Sequence, residues 1–522
     1  MAEPSRSSPS RASSSRVFGW GWPSPQEVGL WVGPLAAFLV YAWLPSGYLG
    51  IDGQPAELGD PGRATLAMLV WMAVWWLTEA IDIPATALLP VALFPLLGVA
   101  DIRAAAAPYA SQLIFLFLGG FLMAQAMQQW GLDRRFALVV LRWVGTRPSA
   151  MVAGFMGVTA VLSAFVSNTA TAAMMLPIAL SVVALVEPES GKTGDGVAGK
   201  DSPIGRNFGL CLMLGIAYAA SIGGMATLIG TPPNGILAQF ARDQLAESYA
   251  RDIGFAEWMA VAGPLVIVFL PIVWLLLTRV LYPLRIDRLE GGRELIEGQL
   301  RSLGRPKGGE WVVAVVFGLT ALAWMTRPLL TGWFPGIQLS DAGIAMLAGV
   351  VLFTIPVGRG ERRRHALDWS EARKLPWGVL LLFGGGLSLA AAVRANGVAE
   401  YIGAQVLVLR RAPSWLLVLA VALLVIFLTE LTSNTATTAT LLPILAGIAE
   451  GLGMHPFLLI VPATLAASCA FMMPVATPPN AIVFGSGRVR LPEMARAGLW
   501  LNLVGVLLVF LLTYAVVMPR WG

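Results

Sequence analysis

The residues of this chain best suited to binding chemistry are two Ser-Asn-Thr triplets, each inside a long apolar stretch. Ser167-Asn168-Thr169 precedes Pro177, and Ser433-Asn434-Thr435 precedes Pro443. These side chains are unfavourable on a lipid-facing helix, but they supply hydroxyl and amide groups that accept and donate hydrogen bonds. A polar triplet repeated at matched positions of two hydrophobic halves predicts a binding site between two repeats.

The oxygen atoms around each triplet suit sodium, a hard cation that prefers oxygen ligands. A further hydroxyl, of Ser163 or Thr429, lies four residues before each triplet and therefore on the same helical face. The first repeat offers oxygens from Ser163, Ser167, Asn168 and the backbone near Gly230. The second repeat offers oxygens from Thr429, Ser433, Asn434 and the backbone near Ala476 and Pro478.

An anionic substrate would need donors, which Asn168, Thr169, Asn434 and Thr435 can provide. The N-termini of nearby half-helices would add oriented N–H groups and a favourable dipole. Because no Lys or Arg falls inside either motif, bound cations would have to offset most of the charge of the anion. The alternative is that the triplets only join neighbouring helices by hydrogen bonds.

The two halves share a register well beyond the triplets. Ser433 follows Ser167 by 266 positions, and the pairs Gly119-Gly120 and Gly385-Gly386 keep the same separation. A Thr-Pro-Pro-Asn motif follows each triplet, beginning at Thr231 and at Thr477. Paired prolines inside a membrane segment predict a break between two half-helices, tolerated only where the freed carbonyls line protein or a cavity.

Composition places the chain in a membrane. Of its 522 residues, 57% are hydrophobic and 12% are charged, against roughly 25% charge in soluble domains. Several runs approach the ~20 apolar residues that cross a bilayer. The net charge of +5 is scattered over loops and gives no argument for nucleic acid. Cys211, Cys469 and the two histidines predict neither a disulfide framework nor a metal site.

The predicted fold is an all-α polytopic membrane protein with about 11 spans. It has two inverted-topology repeats, with re-entrant helical hairpins and broken transmembrane helices. Each triplet follows a Gly-rich apolar segment that we expect to return toward its starting side. Residues 1–25 form a disordered tail, and residues 26–520 form the transporter domain. The first repeat covers about 60–282 and the second about 309–520, with a variable polar loop near 188–206.

Two features of the charged residues leave questions open. The loop 358–374 carries Arg359, Arg362, Arg363, Arg364, Arg373 and Lys374. Counting positive residues places this loop, taken as the start of the second hairpin, in the cytoplasm. Glu430, whose counterpart in the first repeat is Ala164, could bind a proton or a cation, or cap a broken helix end.

The paired triplets, the paired Thr-Pro-Pro-Asn motifs, WWLTEAIDIPATALLP and IFLFLGGF resemble the divalent anion/sodium symporter family over most of residues 25–520. This family includes sodium-coupled di- and tricarboxylate transporters and some sulfate carriers. The resemblance implies a homodimer with a scaffold and an elevator-like moving part. It also implies a cytoplasmic N-terminus and an outward-facing second hairpin, against the charge count. To reconcile them, we interpret loop 358–374 as a surface amphipathic helix.

The resemblance also implies which residues of the site bind sodium and which bind the substrate. The first sodium would bind Ser163, Ser167, Asn168 and the Gly230 carbonyl, and the second Thr429, Asn434 and the Ala476 and Pro478 carbonyls. Substrate would contact Asn168, Thr169, Asn434 and Thr435, with Ser167, Ser433, Thr477 and Pro478 completing the pocket. No other cofactor is expected, and the location is the cell (inner) membrane.

Sodium-coupled symport of C4-dicarboxylates such as succinate, malate and fumarate is the leading functional hypothesis. A sodium-independent dicarboxylate exchanger, or a sulfate or citrate carrier of the same family, is the closest alternative. An ion channel is disfavoured because helices interrupted near the membrane midplane are typical of alternating access. An intramembrane enzyme is disfavoured because no nucleophile and base are paired in the sequence.

Overall fold

The structure, a computed structural model, describes residues 24–51, 53–186, 203–284, 289, 291–333, 336, 338–358 and 364–522. The predicted tail therefore lies outside the described residues, except for Ser24 and Pro25. These two begin the first helix, where the Ser24 hydroxyl accepts a hydrogen bond from the Glu27 N–H at 3.2 Å. Most of the predicted variable loop near 188–206 also lies outside the described residues.

The described chain is almost entirely helical. Its α-helices are α1 Pro25–Trp43, α2 Asp60–Thr78, α3 Ile83–Thr86, α4 Leu89–Leu93, α5 Ile102–Ala106, α6 Gln112–Trp130, α7 Leu132–Trp143, α8 Pro148–Ser163, α9 Asn168–Val183, α10 Pro203–Gly224, α11 Pro232–Asp243, α12 Phe255–Leu275, α13 Gly292–Ser302, α14 Gly308–Trp333, α15 Asp341–Thr354, α16 Trp369–Ala372, α17 Trp377–Ala395, α18 Val398–Gln405, α19 Ser414–Thr429, α20 Asn434–Gly451, α21 Phe457–Ala467, α22 Pro478–Gly485, α23 Leu491–Leu512 and α24 Met518–Trp521. Two short antiparallel ribbons pair β1 Gly47–Leu49 with β2 Pro55–Glu57, and β3 Pro356–Val357 with β4 Arg364–His365.

Within the described residues, 6 helical segments are long and apolar enough to cross a bilayer. They are Ile102–Trp130, Gly205–Gly224, Phe255–Leu281, Gly308–Trp333, Trp377–Ala395 and Leu491–Trp521. Shorter apolar helices accompany them, including α8, α9, α15 and α19. The prediction of an all-α polytopic membrane protein is confirmed, whereas the number of spans stays a prediction.

Two helical hairpins carry the triplets at their tips. Helices α8 and α9 have 16 residues each, and α19 and α20 have 16 and 18. At 1.5 Å per residue, a 16-residue helix is about 24 Å long, less than the ~30 Å hydrocarbon core. Each hairpin therefore turns back inside the membrane, which places the triplets at depth.

The Gly-rich segments are not arms of these hairpins, which corrects the sequence-based expectation. Gly119-Gly120 lies in α6 and Gly385-Gly386 lies in α17, helices of 19 residues each that precede the hairpins. Their glycines allow close helix packing instead. A Cβ on Gly119 would lie 2.5 Å from the Ala345 carbonyl carbon of α15. Gly sequences of this kind let neighbouring backbones approach within a membrane.

This correction also removes the conflict over orientation. The charged loop before α17 is separated from the second hairpin by α17 and α18, and α17 is long and apolar enough to cross the bilayer. We therefore expect the loop and the open end of the hairpin on opposite sides. A cytoplasmic loop then places that open end outside, as the family resemblance implies. Arg359, Arg362 and Arg363 lie outside the described residues. The described part of 358–374 contains β4 and the four-residue α16, not a surface amphipathic helix.

Both Thr-Pro-Pro-Asn motifs interrupt a helix, as predicted. The first break separates α10 from α11, and the second separates α21 from α22. Pro232 and Pro478 are the first residues of the second half-helices, where a missing N–H leaves no hydrogen bond unmade. Each returning hairpin helix packs on the half-helix of the other repeat, α9 on α22 and α20 on α11. The two repeats therefore meet around the triplets.

Candidate cation and anion site

The tip of the first hairpin places two oxygen atoms beside one hydroxyl. Ser163 is the last residue of α8 and is fully buried. Its Oγ lies 2.5 Å from Asn168 Oδ1 and 2.6 Å from the carbonyl oxygen of Ala220 in α10. Ser163 and Asn168, predicted to belong to one site, are therefore in contact. The prediction that Ser163 and Ser167 share a helical face is wrong, because α8 ends at Ser163 and Ser167 is the N-cap of α9.

The second hairpin repeats this arrangement. Thr429 is the last residue of α19 and is also fully buried. Its Oγ1 lies 2.6 Å from Asn434 Oδ1 and 3.0 Å from the carbonyl oxygen of Ala467 in α21. In both repeats, the hairpin hydroxyl thus bridges the triplet amide and the helix before the break.

With the amide oxygens of Asn168 and Asn434 turned toward the hydroxyls, as in the structure, each of these clusters is short of hydrogen atoms. A hydroxyl carries one hydrogen, so it can satisfy only one of the two neighbouring carbonyl-type oxygens at a time. The other oxygen then faces a lone pair of the hydroxyl oxygen, and the two oxygens repel each other. A cation placed among the three oxygens would remove this repulsion, and hydroxyl and carbonyl oxygens are ligands that hard cations accept.

The Gly230 carbonyl borders the first cluster. A Cβ built on Gly224 would lie 2.6 Å from Asn168 Oδ1 and 3.2 Å from the Gly230 oxygen. Both oxygens therefore face the space in front of the Gly224 α-carbon, which only glycine leaves open. The structure in this way brings together Ser163, Asn168 and Gly230, three of the four predicted first-site residues.

The triplet serines act as helix caps. Ser167 Oγ accepts from the Ala170 N–H at 3.2 Å, and Ser433 Oγ accepts from the Ala436 N–H at 3.5 Å. An N-cap side chain normally starts a helix in this way, and both helices begin at the asparagine of the triplet. The cap leaves a lone pair on each serine oxygen and directs the first helical N–H groups toward the tip.

The remaining predicted substrate and cation residues lie at the tips and at the second break. Thr169 is exposed in the isolated chain, and Asn434 and Thr435 are half-buried. Thr477 is the N-cap of α22, its hydroxyl accepting from the Asn480 N–H at 3.4 Å. Ala476 is buried in the turn before it, and Pro478 begins the helix with an exposed surface. Helix α22 packs on α9 of the first hairpin. The turn before it follows Phe471, Met472 and Met473, which bind Glu430 next to Thr429 of the second hairpin.

Glu430 binds the chain in the second break, between α21 and α22. One carboxylate oxygen accepts from the N–H groups of Phe471 at 2.7 Å and Met472 at 2.9 Å, and the other accepts from Met473 at 3.0 Å. Asn502 of α23 adds a fourth hydrogen bond at 2.7 Å. Of the roles predicted for Glu430, the structure supports hydrogen bonding to the broken helix.

The first break is capped without a charge. The Thr227 hydroxyl donates to the carbonyl oxygen of Ala164, the repeat counterpart of Glu430, and accepts from the Gly230 N–H at 3.1 Å. The two breaks are therefore stabilised differently. Met225 and Ala226, the counterparts of Phe471 and Met472, donate their N–H groups to the Ile222 and Gly223 carbonyls and need no carboxylate.

Sequence reasoning missed the carbonyls of Ala220 and Ala467, together with Asn502. A signal for the first two exists, because Ala-Ala-Ser occurs at 219–221 and again at 466–468. No signal marks Asn502, which meets Glu430 only through the packing of α23.

The chain matches the family model described as the sodium:sulfate symporter transmembrane region over residues 35–520. It is 42% identical over 498 residues to a sodium-dependent dicarboxylate transporter, SdcS, of Staphylococcus saprophyticus, covering 95% of this chain and 92% of that protein. It is 41% identical over 496 residues to the protein of the same name from Staphylococcus aureus strain MW2, covering 94% and 91%.

Two solved structures share the fold. The YdaH transporter of Alcanivorax borkumensis has a TM-score of 0.51 at 14% identity, over 96% of this chain and 99% of that one. MtrF of Neisseria gonorrhoeae has a TM-score of 0.55 at 13% identity, over 94% and 96%. At this identity, the likeness concerns the fold alone.

Proposed function

Because the chain belongs to the sodium:sulfate symporter transmembrane-region family, we propose that it couples the uptake of C4-dicarboxylates such as succinate, malate and fumarate to sodium. The chain is a transporter and an integral protein of the cell membrane, not an enzyme. The names of its relatives support sodium and a dicarboxylate as the transported species.

The observation that carries the proposal is the hydrogen-poor oxygen cluster that occurs at both hairpin tips. Ser163, Asn168 and the Gly230 carbonyl would hold one sodium, with Ser167 supplying a further oxygen. Thr429, Asn434 and the Ala476 and Pro478 carbonyls would hold the other. Two bound sodium ions would offset the charge of a dicarboxylate at a site whose motifs contain no Lys or Arg.

The carboxylates would lie between the two tips. Asn168, Thr169, Asn434 and Thr435 would donate hydrogen bonds, and Ser167, Ser433, Thr477 and Pro478 would complete the pocket. The N-termini of α9 and α20 face the tips and favour negative charge. An elevator-type movement of the hairpins and broken helices, in a homodimer, completes the proposed mechanism.

The direct test is uptake of labelled succinate into proteoliposomes, with an inward sodium gradient or with potassium in its place. Uptake that requires sodium would support the symporter. Uptake without sodium, only into liposomes preloaded with succinate, would instead indicate an exchanger. If sodium drives sulfate or citrate but not succinate, the proposed substrate is wrong.

Asn168→Ala and Asn434→Ala should each abolish sodium-driven uptake, because each removes one oxygen of a cation cluster and one donor for the anion. Asn207→Ala is the control, since its amide donates to the Pro283 carbonyl at 3.2 Å, away from the tips. Protein level and monodispersity in detergent should match the unmodified protein for all three. Normal uptake by a well-folded Asn434→Ala protein would contradict the site assignment.

A further inference from the structure

One polar side chain in each repeat contacts the broken helix without belonging to the proposed cation ligands. Asn234, the third residue of α11, is fully buried. Its amide nitrogen lies 3.1 Å from the Gly224 oxygen, 3.3 Å from the Met225 oxygen and 2.7 Å from the Thr227 oxygen. A single amide therefore holds the carbonyls that the break removes from helical hydrogen bonding.

Asn480 does the same in the second repeat and is also fully buried. Its amide nitrogen lies 3.2 Å from the Ala470 oxygen and 3.0 Å from the Met473 oxygen. Ala470 and Met473 follow Gly224 and Thr227 by 246 positions, the same separation as between the two asparagines. The contact is thus an element of the repeat.

The chain between the bound carbonyls and the Thr-Pro-Pro-Asn motif differs completely between the repeats. Residues 225–230 read Met-Ala-Thr-Leu-Ile-Gly, and residues 471–476 read Phe-Met-Met-Pro-Val-Ala. Since no side chain is shared, the asparagine is the common feature that sets the path of both segments. It does so by recognising backbone oxygens.

The orientation of each amide follows from its surroundings. Turning either amide over would place its oxygen against two or three carbonyl oxygens, so the NH₂ group must face them. Among the described residues, Asn234 Oδ1 and Asn480 Oδ1 are buried without a hydrogen-bond partner. A buried hydrogen bond that is not made destabilises the fold, and this destabilisation occurs at the same position in both repeats.

We call the contacts of each asparagine with these backbone oxygens the clasp. In the first repeat, the clasp is linked to the proposed cation site through Gly224. The Gly224 carbonyl is held by Asn234, and the open side of its α-carbon faces Asn168 Oδ1 and the Gly230 oxygen. The oxygens of Gly224, Met225 and Thr227 face the amide nitrogen of Asn234. The carbonyls proposed as ligands, Gly230 and Ala476, lie three residues beyond the clasped Thr227 and Met473.

We propose that Asn234 and Asn480 are positioning residues that fix the carbonyl ligands of the two cation sites and so set the affinity and selectivity for sodium. This inference rests on the proposed sodium-coupled function. Partners that orient the ligands of a bound metal ion typically change its affinity about 10- to 100-fold when they are removed.

The experiment compares Asn234→Ala and Asn480→Ala with the unmodified protein in proteoliposomes. We expect the sodium concentration for half-maximal succinate uptake to rise about tenfold or more, with little change in the succinate KM at saturating sodium. The ratio of uptake in lithium to uptake in sodium should also change, because altered carbonyl positions favour a cation of different radius. A residue that only stabilises the fold would not shift this ratio.

Asn396→Ala is the matched control. Its amide donates to Thr65 Oγ1 at 3.0 Å and to the Val99 oxygen at 3.2 Å, in another part of the fold. We expect its sodium dependence to match that of the unmodified protein. If Asn234→Ala does not fold, Trp258→Phe tests the same segment, because the Trp258 indole N–H donates to the Met225 oxygen at 2.9 Å.

Folded Asn234→Ala and Asn480→Ala proteins with unchanged sodium dependence and lithium-to-sodium ratio would overturn the inference. Absence of sodium-driven uptake by the unmodified protein would overturn the proposed function instead. In that case, the clasp is tested by the melting temperature of the detergent-solubilised protein against NaCl, at constant ionic strength with KCl. The inference then requires sodium to stabilise the unmodified protein at lower concentrations than the two variants.

Discussion

At the scale of single residues, the proposed chemistry depends on hydroxyls that face two acceptors. Ser163 and Thr429 are in this position at equivalent points of the repeats. Ordinary hydroxyls in membrane helices bond only the carbonyl one turn earlier, as Thr159 does to Phe155 at 2.6 Å. This difference between residues of the same helix supports the proposal that Ser163 is a sodium ligand and Thr159 is not.

Ser163→Ala should raise the sodium concentration for half-maximal uptake about tenfold or more, because one charge-assisted contact to the ion is lost. Thr159→Ala, on the same helix, removes a buried hydroxyl that does not touch the cluster and should leave sodium dependence unchanged. Sodium titrations of succinate uptake measure both. Equal effects of the two substitutions would show that the hydroxyl of Ser163 has no special role.

Thr435→Ala should weaken the substrate more than sodium. Thr435 follows Asn434, which we propose as a sodium ligand, and is the second residue of α20, where its hydroxyl can donate to a carboxylate. Losing one such bond predicts a rise in the succinate KM of about tenfold, at nearly constant sodium half-saturation. Steady-state uptake at varied succinate and varied sodium separates the two constants. An equal rise in the succinate KM and in the sodium half-saturation would mean that Thr435 does not act on the substrate more than on sodium.

At the scale of the elements, the two broken helices show that one architecture can be stabilised in two ways. Glu430 binds three consecutive backbone N–H groups of the second break, which no helical carbonyl can reach. Thr227 and its contact with Ala164 serve the first break. Each break is therefore stabilised by different residues, although the two hairpins beside the breaks are built from helices of similar length.

Glu430→Ala should destabilise the protein by about 3 kcal/mol or more, since it leaves several buried donors without an acceptor. The melting temperature in detergent, followed by size-exclusion chromatography, measures this. Glu294→Ala in α13 is the control, because that side chain is exposed on a surface helix. An unchanged melting temperature for Glu430→Ala would mean that water replaces the carboxylate at the break.

At the scale of the whole molecule, the order of helices and hairpins determines the orientation in the membrane. The charged loop and the open end of the second hairpin are separated by α17 and α18. The positive residues of the loop then favour a cytoplasmic location without contradicting an outward-facing hairpin. Both natural cysteines are buried, which makes cysteine labelling a clean probe of this topology.

Val408→Cys and Ser370→Cys should differ in labelling by a membrane-impermeant maleimide on intact cells. Val408 is 82% exposed between α18 and α19, and we expect it to react from outside. Ser370, exposed in α16, should react only after the cells are permeabilised. The unmodified protein, which carries only the buried Cys211 and Cys469, is the control. Labelling of Ser370→Cys on intact cells would reverse the proposed orientation.

The sequence by itself determined the membrane class, the two repeats, the triplets and the positions of the breaks. These features follow local rules, since apolar length, helical spacing and proline chemistry act within short segments. The sequence also grouped Ser163 with Asn168 and Thr429 with Asn434, but by a helical spacing that the structure does not have, because the chain turns between the two helices of each hairpin. Each pair is only five residues apart.

Tertiary structure alone decided which backbone oxygens join those side chains. The carbonyls of Ala220 and Ala467 lie 57 and 38 residues from their hydroxyl partners, and a carbonyl leaves no mark in the sequence. The role of Glu430 likewise depended on residues 41 to 43 positions away and on Asn502. The Gly-rich segments were misassigned because an apolar helix that crosses the membrane and one that turns back have similar composition. Packing against other helices distinguishes them.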